Sequence, residues 1–546
     1  MKVPSVVAEI LKREGVDFLI GYPVNHIIEH AAAADIRTII VRQERVGLHM
    51  ADAVSRVTSG DRIGVFTMQH GPGTENAFGG VAQAYADSVP IVVFPGGFPR
   101  TLNQIDPNFS AKLNFQHVTK SVEQIQVASE IVPALRRAFT RVKNGRPGPA
   151  MIEIPIDLYG EDVAEPIHYV PSTRHRFGPD PADVDRVAEV LVNAKRPVIY
   201  AGQGVHYAKA WAQLKELVEL LESPVTTSLQ GKSAISEEHP LALGSGGRST
   251  TAAVNKYLNE ADVVFGIGCS FTRTNYGLTM PTKDKVYIHA TLDPNEINKD
   301  IEAQYVLVGD AALTLDALIA AVKERTGGKA RGRKDALAAD IKKTNEAWVE
   351  QWTPKLTDNS APISPYRVMW DLLHTVDVAN TIVTHDAGSP RDQISPFWKC
   401  TAPLSYIGWG KTTQLGYGLG LAMGAKLAHP EKLCVNFWGD AAIGFTGMDF
   451  ETAVRERIPI LSILSNNFSM AIELPIMQQA TEKYRSTDIS GNYADMAKAF
   501  GGYGERVTDP KDIVPAIRRG IQKTQEGVPA LIEFITQKDF QYSVFK

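Results

Sequence analysis

The sequence predicts an α/β protein built from three doubly wound, parallel-sheet domains. Short β-branched runs alternate with Ala-rich amphipathic segments along the chain, which is the pattern of parallel βαβ units. The alternation is interrupted twice, by the polar, Pro- and Gly-bearing stretch 168–183 and by a stretch without strand pattern from about 331 to 365. The length of 546 residues, 44% hydrophobic and 22% charged, is an ordinary globular composition. At about 100 to 200 residues per domain, such a chain makes about three domains.

Taken in order, MKVPSVVAEILKREGVDFLIGYP reads as an amphipathic helix running into a short strand. RTIIV (37–41), IGVFTM (63–68), PIVVFPG (90–96) and MIEIPI (151–156) come next as strands of a first block. PVIYAG (197–202), PVTTSL (224–229), VVFGIG (263–268) and VYIHATLD (286–293) form a second. TIVTHDAG (381–388), LCVNFWGD (433–440), ILSILSNN (460–467) and ALIEFIT (530–536) form a third. The expected domains are therefore 1–167, 184–330 and 360–546, with no internal sequence repeat and no low-complexity tract.

Composition narrows the function classes. The net charge of −4 comes from 57 basic and 61 acidic residues without a basic run, so neither nucleic acid nor a membrane surface is an expected partner. No apolar run approaches the ~20 residues of a membrane span. The three cysteines, Cys269, Cys400 and Cys434, show no CxxC spacing, which argues against a disulfide framework or a zinc site and fits a reducing cytoplasm. The chain reads as soluble, untargeted and cytoplasmic.

The most informative stretch is GDAAIGFTGMDFETAVRERIPILSILSNN, 439–467. Gly439-Asp440 closes one predicted strand and Asn466-Asn467 closes the next. In a parallel sheet ligands gather at the carboxyl ends of strands. The segment between, with Phe445, Met448, Phe450 and Val454 at roughly helical spacing, is long enough to cross a sheet face and return parallel. Asp440 and Asn467 then offer oxygen ligands to one hard cation. Mg²⁺ keeps several waters and takes one or two protein side chains with ligand phosphates, so this sparse set suits a metal clamping a diphosphate. Taken singly, an Asp capping a helix and an Asn in a turn would be the plainer account.

At these residues the sequence resembles the thiamine-diphosphate enzymes, whose metal motif begins Gly-Asp-Gly and ends Asn-Asn after a similar interval. The likeness covers essentially the whole chain. It is nearest the subgroup of acetolactate synthase, oxalyl-CoA decarboxylase and 2-hydroxyacyl-CoA lyase, and the family's order of pyrimidine-binding, central and diphosphate-binding domains matches the three blocks. The resemblance implies Asp440, the side chain of Asn467 and the main-chain carbonyl of Ser469 as Mg²⁺ ligands, with Gly439, Asp440, Ala441 and Ala442 at the diphosphate. Ala441 departs from the commonest Gly but is small enough to leave the backbone open.

Thiamine chemistry removes the thiazolium C2 proton with the cofactor's own aminopyrimidine, which is a base only when a carboxyl group shares a proton with its N1′. Glu44, in VRQERVGLHMADAVSR (41–56), stands after a strand and opens a helix, and it resembles the family's activating glutamate. A surface ion pair with its flanking arginines is the alternative. Gln43 stands where many relatives carry His. In QLGYGLGLAMGAKLA (414–428), Leu415 matches the apolar wedge that bends the cofactor, and Gly416, Gly418 and Gly420 read as close helix packing rather than a dinucleotide loop. HDAGSP (385–390) ends another strand, so Gly388 and Ser389 are further expected diphosphate contacts, by main chain or hydroxyl. The loops GYPVNHIIEH (21–30) and TMQHGPGTENAFGG (67–80) carry His26, Gln69 and His70. The two histidines resemble proton-shuttling positions of benzoylformate decarboxylase and benzaldehyde lyase. Phe115 and Gln116, in NFQHVTK, resemble an active-site entrance of acetolactate synthase. NNFSMAIELP lacks the Gly-Met-Val and Trp-Gln pattern of true acetolactate synthases.

The expected protein is a non-oxidative, thiamine-diphosphate- and Mg²⁺-dependent lyase or carboligase acting on a 2-oxo acid or related acyl compound. It would assemble as a homodimer or homotetramer with sites at the subunit interface. A 2-hydroxyacyl-CoA lyase or oxalyl-CoA decarboxylase activity on acyl-CoA is the alternative, and a silent cofactor-binding subunit a further one. The central domain could hold FAD, ADP or nothing. The glycine-rich GIGCSFTRTNYG (266–277), with Arg273, is weak evidence, and the missing Arg-Phe-Asp-Asp segment weighs against FAD.

Overall fold

A computed structural model of the chain describes residues 1–274 and 277–546. The described residues form three six-stranded sheets in which every pair of strands is parallel. The first comprises β1 (Phe18–Gly21), β2 (Arg37–Ile40), β3 (Gly64–Met68), β4 (Ile91–Gly97), β5 (Ser121–Gln124) and β6 (Ala150–Pro155), in the order β2-β1-β3-β4-β6-β5. The second comprises β7 (Pro197–Ala201), β8 (Val225–Thr227), β9 (Ala242–Ser245), β10 (Val263–Ile267), β11 (Val286–Thr291) and β12 (Tyr305–Val308), in the order β12-β11-β10-β7-β8-β9. This is the doubly wound 3-2-1-4-5-6 arrangement. The third comprises β13 (Thr381–His385), β14 (Tyr406–Ile407), β15 (Leu433–Gly439), β16 (Leu461–Asn466), β17 (Tyr503–Val507) and β18 (Ala530–Ile535), in the order β14-β13-β15-β16-β18-β17. Strand for strand, that repeats the first sheet.

Inner strands such as β3, β7, β10 and β13 are buried at every position, because helices cover both faces, and so they appear in the sequence as unbroken apolar runs. Five strands that the sequence pattern does not reveal, β5, β9, β12, β14 and β17, lie at sheet edges. The stretch read as a connector from about 331 to 365 contains the 23-residue helix Lys334–Leu356, which buries Ile341, Trp348 and Leu356.

One helix pair fastens the first domain to the third. In Glu44–Arg56 every residue except Arg45 is buried, and the helix packs against Tyr417–Ala428. Glycine permits the approach: a Cβ on Gly420 would stand 2.8 Å from the Val46 carbonyl oxygen, and one on Gly424 2.8 Å from the Met50 carbonyl carbon. Between the helices Arg56 donates to buried Asp52 at 2.8 Å, Tyr417 donates to the same carboxylate at 2.7 Å, and Arg56 reaches the Gly408 carbonyl at 3.1 Å. Each charge is thus paired and hydrogen-bonded. The chain end reaches the second domain and the helix Lys334–Leu356, where Thr250 donates to the Ser543 carbonyl and Trp348 to the Ser543 hydroxyl, both at 2.8 Å.

Candidate active site

The predicted metal ligands meet at the ends of β15 and β16, neighbouring strands in register from Val435 opposite Leu461 to Gly439 opposite Ser465. Gly439 hands over to the helix Asp440–Thr446, whose first residue is 3% exposed. One oxygen of Asp440 accepts the Ala441 N–H at 2.9 Å, and the other accepts the N–H groups of Asn467 (3.1 Å) and Ser469 (3.2 Å). Burial raises the Asp440 pKa, against the opposing pull of these N–H groups. The turn that brings Asn467 and Ser469 around the carboxylate puts Phe468 at φ 57°, and inside it the buried Asn467 Oδ1 and Ser469 hydroxyl have no hydrogen-bond partner among the described residues. A buried acceptor left open beside a carboxylate fits a hard cation. Ala442 is buried behind the turn, whereas Phe445 and Met448 of the crossover are exposed.

Gly388 and Ser389 come after β13, the strand beside β15. Gly388 takes φ 78°, a region open to glycine, and a Cβ on Gly439 would stand 3.6 Å from Pro390. The two strand ends are therefore close. The Ser389 hydroxyl lies 2.7 Å from that of Tyr542, on the chain end. Leu415 is half-buried at the start of Tyr417–Ala428, and the following Gly416 has φ 84°. Its carbonyl accepts from Thr446, at the end of the Asp440 helix, at 2.9 Å.

At the first sheet, His26, Glu44, Gln69 and His70 stand after β1, β2 and β3, three neighbouring strands, and all gather at one end of that sheet. Glu44 is 5% exposed, so it is not a surface ion-pair residue. Arg42 instead stands 3.6 Å from Glu451, and Arg45 lies over the Phe445 ring. The Glu44 carboxyl accepts from Asn76 at 3.3 Å, and a Cβ on Gly73 would come within 3.2 Å of it. Burial raises its pKa. Burial lowers that of His70, which lies beside Phe98 and whose buried Nδ1 has no hydrogen-bond partner among the described residues. His26 is exposed, 5.1 Å from Tyr159 ring to ring. Buried Asn25 ties these loops together, donating to the Met68 carbonyl at 3.0 Å and accepting from Tyr159 at 3.2 Å. Phe115 is fully buried between Phe78 and Phe109, so its place is in the core, and Gln116 is exposed at the end of the short helix Ala111–Phe115. Among the described residues no hydrogen bond or ion pair joins Glu44 to the Asp440 turn.

Models of three parts of one family match the chain: the thiamine pyrophosphate enzyme N-terminal TPP binding domain over residues 1–127, the central domain over 184–318, and the C-terminal TPP binding domain over 386–534. The chain belongs to the thiamine pyrophosphate enzymes. It is 29% identical to the probable acetolactate synthase large subunit of Methanococcus aeolicus, over 98% of this chain and 92% of that one. It is 27% identical to the acetolactate synthase isozyme 3 large subunit of Escherichia coli, over 96% and 92%. In this thiamine enzyme both predicted cofactor ends, the Asp440 turn and Glu44, lie inside matched TPP binding domains.

Several supporting residues escaped the sequence reading. Glu533, fully buried in β18, accepts from Asn466 at 2.7 Å, from Arg506 at 2.9 Å and from the Ala494 N–H at 2.9 Å, and so holds the base of the Asp440 turn. A lone acid inside the apolar run ALIEFIT is the signal that could have found it. Asn76 and Tyr542 carry no such signal. A cavity of about 350 Å³ opens at the carboxyl ends of β7 and β10, where the central strand order reverses. It reaches Arg273, which pairs with Asp300 at 3.2 Å, and Lys411 of the third domain. Asn275 and Tyr276 of the glycine-rich segment lie outside the described residues.

Proposed function

We propose that this thiamine enzyme is a non-oxidative C–C lyase or carboligase that takes a 2-oxo acid, working with Mg²⁺ as a homodimer or homotetramer in the cytoplasm. The observation that carries the reading is the Asp440 turn, a buried carboxylate beside an unpartnered Asn467 oxygen at two adjacent strand ends. The names of the full-length relatives support the reaction class. The side chains of Asp440 and Asn467 and the Ser469 carbonyl hold the metal, while Gly388, Ser389 and the Gly439–Ala442 segment receive the diphosphate. Thiamine diphosphate, when bound there, would supply the carbon nucleophile that such a reaction needs. Glu44 holds a proton at N1′ of the aminopyrimidine, a task suited to a buried carboxyl whose pKa is raised. Leu415 would give the cofactor an apolar support, and His26 and His70 would move protons at the substrate side. Among the described residues no hydrogen bond or ion pair joins Glu44 to the Asp440 turn, which is compatible with a site completed by a second copy.

The departure after Asn467 favours one second reading, a lyase acting on 2-hydroxyacyl-CoA or oxalyl-CoA. The central cavity, within the roughly 300–1,000 Å³ of small-molecule sites, is where an ADP or FAD would lie. A mass-spectrometric survey of products from a panel of 2-oxo acids and 2-hydroxyacyl-CoAs separates the readings. Carboligation or decarboxylation of free 2-oxo acids is the expected result. Cleavage confined to CoA esters moves the assignment to the second reading, and no turnover of either class overturns both.

A further inference from the structure

The turn that carries Leu415 hangs on one buried carboxylate. Asp386 comes directly after β13, two residues before Gly388, and is wholly inaccessible to solvent. Its Oδ1 accepts the N–H of Ala387 at 2.8 Å and that of Gly416 at 2.9 Å, and its Oδ2 accepts the N–H of Gly418 at 3.0 Å. Two of these donors sit either side of Tyr417, at the start of the helix just beyond Leu415. The third begins the segment that leads to Gly388 and Ser389. Glycine allows the approach, since a Cβ on Gly418 would stand 2.8 Å from the His385 carbonyl oxygen and 3.2 Å from Asp386 Oδ2. The Gly416 carbonyl is meanwhile held by Thr446. The peptide after Leu415 is thus gripped on one side by Asp386 and on the other by the helix that Asp440 opens.

We propose that Asp386 is the positioning residue that sets Leu415 against the diphosphate loop, joining the two cofactor-contacting segments through a single carboxylate. Ionised, as at the pH 8 of the test below, a carboxylate suits the place. It offers acceptors on both oxygens, whereas an amide turns an NH₂ group towards one of the facing N–H donors. Among the described residues it makes no ion pair, so its hydrogen-bond partners are the backbone it holds. A wedge acts through its exact height and tilt beneath the cofactor, and a displacement of about 1 Å at a positioning group can change a rate by roughly 100-fold. The proposal rests on the assignment of Leu415 as the wedge.

The test compares Asp386→Asn, Leu415→Ala and the double variant with the parent at pH 8. In the apoprotein, amide hydrogen exchange of the 412–420 peptide is followed by mass spectrometry. With Mg²⁺ and thiamine diphosphate, the dissociation constant is measured by calorimetry and proton exchange at C2 of the bound cofactor by NMR after acid quench. In D386N the Gly416 and Gly418 amides should exchange at least about tenfold faster, while cofactor affinity falls by less than C2 exchange does, since the Asp440, Asn467 and Ser469 contacts are untouched. C2 exchange should fall roughly 10- to 100-fold, and the double variant should be no slower than L415A, because both changes disable one device. Unchanged C2 exchange in D386N, or losses that multiply in the double variant, overturns the proposal while leaving the wedge in place. Unchanged C2 exchange in L415A overturns the wedge and the proposal with it. Should D386N not fold, Asp386→Ser, with one acceptor and no charge, is read in the same way.

Discussion

The first and third sheets have the same strand order, yet their carboxyl ends carry unlike chemistry. At the end of the third strand the first sheet places Gln69 and His70, and the third sheet places Gly439 and Asp440. After the second strand the first sheet presents Glu44, a buried carboxyl with one amide partner. The third sheet instead surrounds a carboxylate with backbone N–H groups and an open Asn467 oxygen. One framework, present twice without a sequence repeat, thus carries both the end proposed to hold a proton and the end proposed to hold a cation. The chemistry lives in the few residues just past each strand, not in the strands. The central sheet is wound in another order.

The sharpest way to test this division is to disable the proton-holding end alone. In Glu44→Gln the amide keeps the size and one hydrogen bond but cannot share a proton with N1′, so turnover and C2 exchange should fall by roughly 10²- to 10⁴-fold while calorimetric affinity for the cofactor is retained. An equal loss of affinity would merge the two ends into one function.

The complementary change is Asp440→Ala. Removing a partner behind a metal ligand commonly lowers metal affinity by about 10- to 100-fold, so losing a ligand should weaken Mg²⁺-dependent cofactor binding by more than roughly 100-fold. If each site draws Glu44 from one chain and Asp440 from another, mixing the two inactive variants restores activity. With random exchange, half of the dimers are hybrids with one intact site of two, which gives about a quarter of the parental activity. Subunits that exchange, as mass spectrometry of the mixture would register, yet regain no activity would place both ends in one chain.

The sequence made the interior of the molecule legible and its rim obscure. β3, β4, β7, β10, β13 and β16 are buried on both faces and read as apolar runs. β17, YGERV, buries only its second and fifth residues, and β5, SVEQ, is half-buried throughout, so neither separates from loop by hydrophobicity. The helix Lys334–Leu356 escaped for a similar reason, since it buries only three of its residues. In the candidate site, residues at strand ends were readable because a βαβ pattern fixes where strands stop. Asp440, Asn467 and Glu44 are of that kind. Asn76 and Tyr542 reach their places from a helix and from the chain end, and contacts of that origin have no local signature. Phe115 resembled an entrance residue, but an aromatic between two other aromatics packs inward.

The smallest expected effect concerns stability and isolates Asp386 from its neighbour His385. Burial pushes the Asp386 carboxyl up from 3.8 to about 7, and burial with the nearby Arg391 charge pushes His385 down from 6.5 to about 3. The raised carboxyl contributes stability that is full below its unfolded pKa of 3.8 and is lost as pH rises to about 7, because over that range only the folded chain keeps the proton. The depressed imidazole does the opposite: its contribution is full above 6.5 and is lost as pH falls towards 3, because there only the unfolded chain takes the proton. Between about pH 4 and 6.5 the two slopes oppose, each near one proton or ~1.4 kcal/mol per pH unit. Asp386→Asn removes only the first. The variant should therefore be most destabilised, relative to the parent, at pH 5, and the gap should narrow as pH rises to 7 and then stay constant. Urea unfolding of both proteins at half-unit steps from pH 5 to 8 measures that gap. A gap independent of pH would mean that Asp386 stays charged throughout, held by its three N–H donors more strongly than burial opposes them.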